Sequence, residues 1–322
     1  MTREKPAVAV YGGANIDIVA RSRLQWRPGD SNPGTLSRSA GGVGRNIAEN
    51  LARLGLPVEL VTVFGTDDAA SFLREVCAVT GIEVGRSLIL PGQETSAYLC
   101  ILDNDGSLVG AVAAMDSMEL FLPAELATRF GPGDDAELVV IDANLPAATI
   151  ALAVERWKGK PLMLDPVSVA KAAKAAPVVG GFSMVKPNRH EAQVLLGLKV
   201  DTRTVENDMV LAARNSALQL LGKGLKEVYV SLGAQGILWA DPQGVGLVRP
   251  PELPVVNVSG AGDAATAALA WATVRHMETA TKASFAVAAA SLCASVSDSV
   301  AQRIDMELLS TIVRGVKNER LS

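Results

Sequence analysis

Short apolar runs bounded by Gly, Pro, Asp or Asn recur along the chain: Ala7–Tyr11, Val58–Phe64, Glu137–Ile141, Pro161–Leu164, Phe182–Val185 and Glu227–Ser231. Unbroken apolar runs of this length suit parallel strands covered on both faces. The segments between them take a helical period. Ile47, Leu51 and Leu54 fall at i, i+4 and i+7 with Gly55 as a stop, and Val76 and Val79 close a similar segment before Gly81. This alternation predicts a doubly wound α/β fold with a mostly parallel sheet.

Two regions leave the pattern. Residues 18–40 are polar, with two Pro and two Gly and no helical period. Residues 86–115 alternate apolar and polar positions around Asp103-Asn104-Asp105-Gly106, which reads as a hairpin because Asp-Gly supplies the turn chemistry. The two excursions predict a small sheet beside or over the core. The Ala-rich stretches Ala264–Ala272 and Ala283–Ala294 predict close-packed helices rather than a flexible segment. No internal repeat or low-complexity tract occurs.

Composition narrows the function classes. The chain has 322 residues, 49% hydrophobic and 20% charged, which excludes disorder as the dominant state. Lys and Arg number 30 against 34 Asp and Glu, so no basic field exists to hold a nucleic-acid backbone. The three cysteines, Cys77, Cys100 and Cys293, are too far apart for a CxxC motif or a disulfide framework, which points to a reducing compartment, the cytoplasm. The opening MTREKPAVAVYGG has only a short apolar run before Gly12 and reads as a first strand rather than a secretion signal; no stretch reaches membrane-spanning length. With only His190 and His276, a Ser-His-Asp hydrolase is a poor fit, so carboxylates, glycines and backbone amides must carry any chemistry.

The sharpest candidate is Asn257-Val258-Ser259-Gly260-Ala261-Gly262-Asp263 before an Ala-rich helix. Free amides of Gly260, Ala261 and Gly262 at a helix N-terminus would form an anion hole, with Asp263 beside it as a potential base. That pairing is what phosphoryl transfer to a hydroxyl needs, although a plain capped helix explains the spacing equally well. Gly41-Gly42-Val43-Gly44-Arg45-Asn46 opens an earlier helix. It is not a dinucleotide fingerprint, since the glycines follow an irregular stretch and lack the required spacing, and no GxxxxGK[ST] occurs anywhere. Gly12-Gly13-Ala14-Asn15-Ile16-Asp17 follows the first strand, where ligands of open α/β sheets bind; Asp17 could take two hydrogen bonds from a polyol or be a solvated turn residue. Asn188 and Glu191 have capping-box spacing, compatible with a second role facing phosphates and a hydrated Mg²⁺. His190 between them reads as a surface residue. Ser231-Leu232-Gly233-Ala234-Gln235-Gly236 joins two strand-like runs, as a hairpin turn or a nucleotide-wrapping loop. Lys171 and Lys174 read as a solvated helix face, with a phosphate contact as the alternative for Lys171.

Together, in order and at these spacings, GGVGRNIAENLARLG (41–55) and NVSGAGDAATAALA (257–270) resemble the ribokinase-like (phosphofructokinase-B type) family of sugar and nucleoside kinases. The resemblance spans nearly the whole chain. It implies a three-layer α/β/α domain over residues 1–322 with a small β-sheet lid from about 18–40 and 86–115, ATP and Mg²⁺ as requirements, and a homodimer formed through the lid. By the same resemblance, Asp263 is the catalytic base and Gly260, Ala261 and Gly262 the anion hole. Asn15, Asp17, Gly41, Gly42, Asn46 and Asn144 then hold the acceptor, Asn188, Ser231, Gly233 and Gly236 hold ATP, and Glu191 with Asn188 organises Mg²⁺ through water. The segments DSNPGTL (30–36), TSAYLCILDNDG (95–106), LDPVSVAK (164–171) and KPNRHEA (186–192), with GGVGRN, narrow the implied acceptor to pseudouridine at its 5′-hydroxyl. Ribose, adenosine or 2-keto-3-deoxygluconate, or a non-catalytic sensor on the same scaffold, are the alternatives. Asn257 stands where many family members carry an Asp that helps a K⁺ site, so the K⁺ implied by the family loses one charge here.

Overall fold

The computed structural model describes residues 5–200 and 209–321. Among these, ten strands form one sheet in the order Lys317–Leu321, Gly244–Arg249, Ile237–Asp241, Glu227–Ser231, Met184–Val185, Leu162–Asp165, Leu138–Asp142, Val8–Tyr11, Val58–Val61, Ile82–Glu83. Neighbours from Glu227–Ser231 to Ile82–Glu83 run parallel, and the three strands at the other edge are antiparallel. Alternation along a strand feeds two cores. Val8 and Val10 pack with Ile47, Leu51 and the alanines of Ala261–Val274 and Thr279–Ala294. Ala9 and Tyr11 point the other way, onto Ile150, Ala172 and Leu220. This is the expected α/β fold with helices on both faces. Small side chains let Ala261–Val274 and Thr279–Ala294 press together, with Ala268, Ala272, Ala286 and Ala289 fully buried.

The small second sheet is present. Its strands stand in the order Gly34–Gly41, Asn15–Ser22, Ala97–Leu102, Leu108–Ala114. The predicted hairpin turns at Asp103–Ser107, closed by Asp103 N–H donating to Ser107 O at 2.8 Å. Its limits differ from expectation in two ways. The lid begins at Asn15 rather than 18, because the turn is only Gly12–Ala14; Asn15 and Asp17 therefore lie on a strand and not in the turn. Residues 86–96 do not join it, since Leu88–Ile89 pairs with Val63–Phe64 instead.

The run Val58–Phe64 is accordingly two strands, not one. At Thr62 the backbone leaves the main sheet: its N–H donates to Ser87 Oγ, and its carbonyl accepts from Leu88 N–H. The run Phe182–Val185 shrinks to Met184–Val185 because a 3₁₀ turn occupies Ala176–Gly181. The cysteines are all free and buried, and no described helix is long and apolar enough to cross a membrane.

Candidate active site

Two glycine-rich helix starts meet at the carboxyl edge of the sheet. The helix Val43–Arg53 begins from Gly42, whose φ is 98° and whose Cβ, were there one, would lie 2.5 Å from Gly13 O. Only glycine fits, so this N-terminus sits directly on the turn after the first strand. The helix Ala261–Val274 begins from Gly260 at φ 77°, pressed against Ser299. Its first turn presents the Gly262 amide at the positive end of a 14-residue helix, while the Ala261 N–H, expected beside it, is shared with Val258 O at 3.3 Å.

Asp263 and Asn46 tie the two helix N-termini together: Asn46 Nδ2 donates to Asp263 Oδ2 at 2.7 Å. Asp263 is half-buried. Desolvation and the neighbouring Asp165 push its carboxyl up to about 7, against the pull of the Asn46 hydrogen bond and Lys186.

Three hollows surround this pair. A cavity of about 200 Å³ on the side expected to take the acceptor, the acceptor-side cavity, is lined by Asn15, Gly42, Asn46, Ser96, Asn144 and Lys171. A cavity of about 490 Å³ on the side expected to take the nucleotide, the nucleotide-side cavity, is lined by Ser231, Gly233, Gly236, Lys186, Ala261 and Gly262, with apolar walls from Leu253, Val255 and Val287. Asn46 opens onto the first and Gly262 onto the second, so Asp263 stands between them. Asp17 lines a third, wider cleft of about 940 Å³ under the lid, with Tyr98, Arg45 and Asn257. Asp17 packs over Gly41 and accepts from Asn15 Nδ2 at 2.6 Å; burial raises its carboxyl, opposed by that hydrogen bond and by Arg45.

The expected residues thus gather in two clusters. Asn15, Asp17, Gly41, Gly42, Asn46 and Asn144 lie on the lid side of Asp263. Ser231, Gly233 and Gly236 lie on the other, and Asn188 bridges to Ser231 in the backbone. Asn188 and Glu191 form the full capping box: Asn188 Oδ1 accepts from Glu191 N–H, and Glu191 Oε2 accepts from Asn188 N–H. His190 is half-buried rather than at the surface, because its helix packs between the helices Val169–Ala175 and Met209–Gly222. Lys171 is not on the nucleotide side; its Nζ donates to Asn144 Oδ1 in the acceptor-side cavity, and burial lowers its pKa. Lys174 instead pairs with Glu119. Asn257 spends its amide on Ser297 O and Ser259 N–H, closing the loop that leads into the helix Ala261–Val274.

Three buried charges at the site escaped the sequence reading: Asp142, Asp165 and Lys186. Asp142 accepts from Gly13 N–H and Asn144 N–H, both at 2.8 Å, and so fixes the two loops that flank the acceptor side. Asp165 accepts from Thr266 Oγ1 at 2.6 Å and lies 3.6 Å from Lys186 Nζ. It also accepts from the N–H of Val167, a β-branched residue held at φ 66°, a strained conformation on the cavity wall. A signal existed: Asp142 and Asp165 end, and Lys186 directly follows, an otherwise apolar strand, where a buried charge has no packing reason to be.

Among the described residues no group of three or more His, Cys, Asp or Glu could cage a metal ion. Glu191 is a single buried carboxylate near the nucleotide side, already committed to the cap. That donor set fits a hydrated Mg²⁺ carried by nucleotide phosphates, not a protein-built metal site.

Residues 5–304 match the pfkB family of carbohydrate kinases. Pseudouridine kinase of Escherichia coli is 34% identical over 294 residues, covering 91% of this chain and 92% of its own. Among solved structures, a carbohydrate kinase from Agrobacterium tumefaciens is 29% identical with a TM-score of 0.85, covering 98% of this chain and 99% of that one. The Arabidopsis thaliana ribokinase complexed with ribose and ATP, 23% identical, shares the fold at a TM-score of 0.80 over 97% of this chain and 99% of that one.

Proposed function

The chain belongs to the pfkB family of carbohydrate kinases and is an ATP-dependent kinase, and from that premise we propose that it phosphorylates the 5′-hydroxyl of pseudouridine, giving the 5′-phosphate and ADP. The observation that carries the mechanism is the place of Asp263, bonded to Asn46 and standing between an acceptor-side and a nucleotide-side cavity. Asp263 takes the hydroxyl proton as that oxygen attacks the γ-phosphorus in line. The new O–P bond forms, the bond to the β-phosphate oxygen breaks, and ADP leaves. The amides of Gly260, Ala261 and Gly262 receive charge on the moving group, and Lys186 balances the buried carboxylates around it. Bound with the nucleotide and held near Glu191 and Asn188, Mg²⁺ would neutralise phosphate charge. Ser231, Gly233 and Gly236 would border the nucleotide. The lid would exclude water, which otherwise competes as acceptor.

The acceptor reading rests on the pseudouridine kinase likeness and on the cavity chemistry. Asn144 Oδ1 accepts from Lys171 Nζ, and the Asn144 side chain also bonds the Asp142 carboxyl, so the remaining Lys171 protons are the donors this pair leaves to a ligand in the cavity. A cationic donor there suits a carbonyl oxygen of a pyrimidine base. The test is an ADP-release assay over pseudouridine, uridine, adenosine, ribose and 2-keto-3-deoxygluconate. Pseudouridine is expected to give the highest kcat/KM. Lys171→Met should raise its KM about 10-fold, the worth of one charge-assisted hydrogen bond, without changing the KM for ATP. Turnover of a free sugar in preference to the nucleoside would refute the acceptor. ATP binding without turnover on any acceptor would favour a sensor.

The lid carries a second proposal, a homodimer. Strand register puts Leu36 beside Ala20 and Ile101, and Ile18 beside Leu99 and Val112, on one sheet face. Leu36 and Val112 are about three-fifths exposed there, at 61% and 62%. A matching face on a second copy would cover them. Leu36→Lys/Val112→Lys is expected to sediment as a monomer where the unsubstituted protein sediments as a dimer.

A further inference from the structure

Arg45 has the environment of a core residue and the hydrogen bonds of a site residue. It is 2% exposed, in the first turn of Val43–Arg53. Its Nε donates to Gly41 O at 3.2 Å and its Nη2 to Ala40 O at 2.7 Å, the last residues of a lid strand. Nη2 also donates to Asn46 Oδ1, and Nη1 donates to Glu49 Oε2. We propose that Arg45 is a positioning residue for phosphoryl transfer, which fixes the carboxamide of Asn46 so that its NH₂ end faces Asp263.

A guanidinium has donors and no acceptor, so only an oxygen of Asn46 can face it. With Oδ1 held there, Nδ2 turns the other way, to Asp263 Oδ2 at 2.7 Å. The reverse orientation would set NH₂ against the guanidinium and Oδ1 against a carboxylate, two unfavourable contacts at once. In that state Asp263 keeps its proton and has lost its function as a base. Arg45 is itself braced from behind. Glu49, 4% exposed, is shared with Arg53, whose Nε and Nη2 donate to Glu49 Oε1 at 2.9 and 2.7 Å. Arg53 then holds Gln302 O at 3.0 Å and Gln302 Oε1 at 2.7 Å. The chain of contacts runs from Asp263 through Asn46, Arg45, Glu49 and Arg53 to Gln302, close in sequence to Ser299, against which Gly260 packs. The same guanidinium therefore touches the root of the lid and orients the partner of the base.

Other groups also act on Asp263. Asp165, Asp142 and Lys186 face it from the strand ends, and Cys293 from the helix Thr279–Ala294. Arg45 also acts on Asp17, so its removal raises Asp17 as well. The test must therefore read Asp263 alone and must involve Asn46. This inference rests on the reading of Asp263 as the base, and the two fail differently.

The experiment is a ¹³C-carboxyl NMR titration of Asp263, assigned with Asp263→Asn, in the unsubstituted protein, Arg45→Met, Asn46→Ala and the double variant, alongside kcat against pH. Arg45→Met and Asn46→Ala should each raise the Asp263 pKa by roughly one unit, since each removes the hydrogen bond that favours the ionised form. The double variant should match Asn46→Ala, because the two residues act through one contact. The acid limb of kcat should move upward by the same amount. Arg45→Lys, with one donor set in place of a fork, should recover part of the shift. If Arg45→Met does not fold, Arg45→Met/Glu49→Leu removes both buried charges and carries the same test. An unmoved Asp263 titration in Arg45→Met, or shifts that add in the double variant, overturns the proposal. A normal titration shift with a kcat profile that ignores it overturns the base assignment instead.

Discussion

Asp263→Asn is expected to lower kcat by on the order of 10² to 10⁴ while leaving KM for both substrates nearly unchanged. The isosteric amide keeps an oxygen to accept from Asn46 Nδ2, so the geometry that joins the two helix N-termini survives. What disappears is a carboxylate whose second oxygen is left free by the Asn46 contact, whereas the neighbouring carboxylates are committed to loops and helices. Asp142 holds Gly13 and Asn144, and Asp165 holds Thr266 and Val167. The unsubstituted enzyme should also show an acid limb. With Asp263 as the proposed base, half-ionised at about 7, kcat should fall as pH drops through that value, and the residual rate of Asp263→Asn should be flat there. Steady-state kinetics from about pH 5.5 to about pH 9 checks both. A variant with full turnover would remove Asp263 from the reaction.

The same substitution should stabilise the protein at alkaline pH. Burial and Asp165 raise the Asp263 carboxyl from 3.8 to about 7 in the folded chain. The folded state therefore binds this proton more tightly than the unfolded one. The stability linked to it is greatest below about 3.8 and is lost as pH rises through 7. At pH 8 the enzyme holds an ionised carboxylate where a neutral amide would be better tolerated. Asp263→Asn should melt at a higher temperature than the unsubstituted protein at pH 8, and the difference should shrink by pH 5. Calorimetry at the two pH values reads it. An inactive variant that is also less stable at pH 8 would mean that the amide breaks the site's geometry instead of removing a base.

Much of this architecture was legible in the residues. Runs such as Glu137–Ile141 and Pro161–Leu164 have no alternating polar face, so they must be covered on both sides, and the strands formed there, Leu138–Asp142 and Leu162–Asp165, are buried throughout. The lid hairpin followed from its Asp-Gly turn. What was not legible has a common physical cause: it depends on contacts across the sheet edge. Thr62 has no local reason to end a strand; it leaves because Ser87 and Leu88 offer other partners. Asp17 looks like a turn residue until Asn15–Ser22 pairs with Gly34–Gly41. Lys171 follows a strand like a phosphate-seeking lysine, yet its helix aims it at Asn144. Asp142, Asp165 and Lys186 acquire meaning only where three strand ends lie side by side with Asp263 above them.

Gly260→Ala should remove most activity by a different route. Gly260 has φ 77°, a left-handed conformation that costs an L-residue about 1–2 kcal/mol. That strain alone would be survivable. Gly55, at φ 79° past the end of its helix, has nothing within 4 Å of a Cβ, so Gly55→Ala incurs the backbone cost and little else. At Gly260 the added Cβ would stand 1.8 Å from Ser299 O, which is backbone and cannot rotate away. Either the 295–302 segment retreats or the amides of Ala261 and Gly262 turn from the transferred group. Cys293 Sγ also donates to Ser299 O at 3.3 Å, so retreat loosens the packed helix behind it. The two alanine variants thus separate strain from close approach. Gly55→Ala should lose roughly 1 kcal/mol of stability and keep its kcat. Gly260→Ala should lose more stability and, with its anion hole misdirected, kcat by on the order of 10² or more. Melting curves and kcat for both variants decide it; equal kcat in the two would mean that the amides at residues 260–262 take no part in transfer.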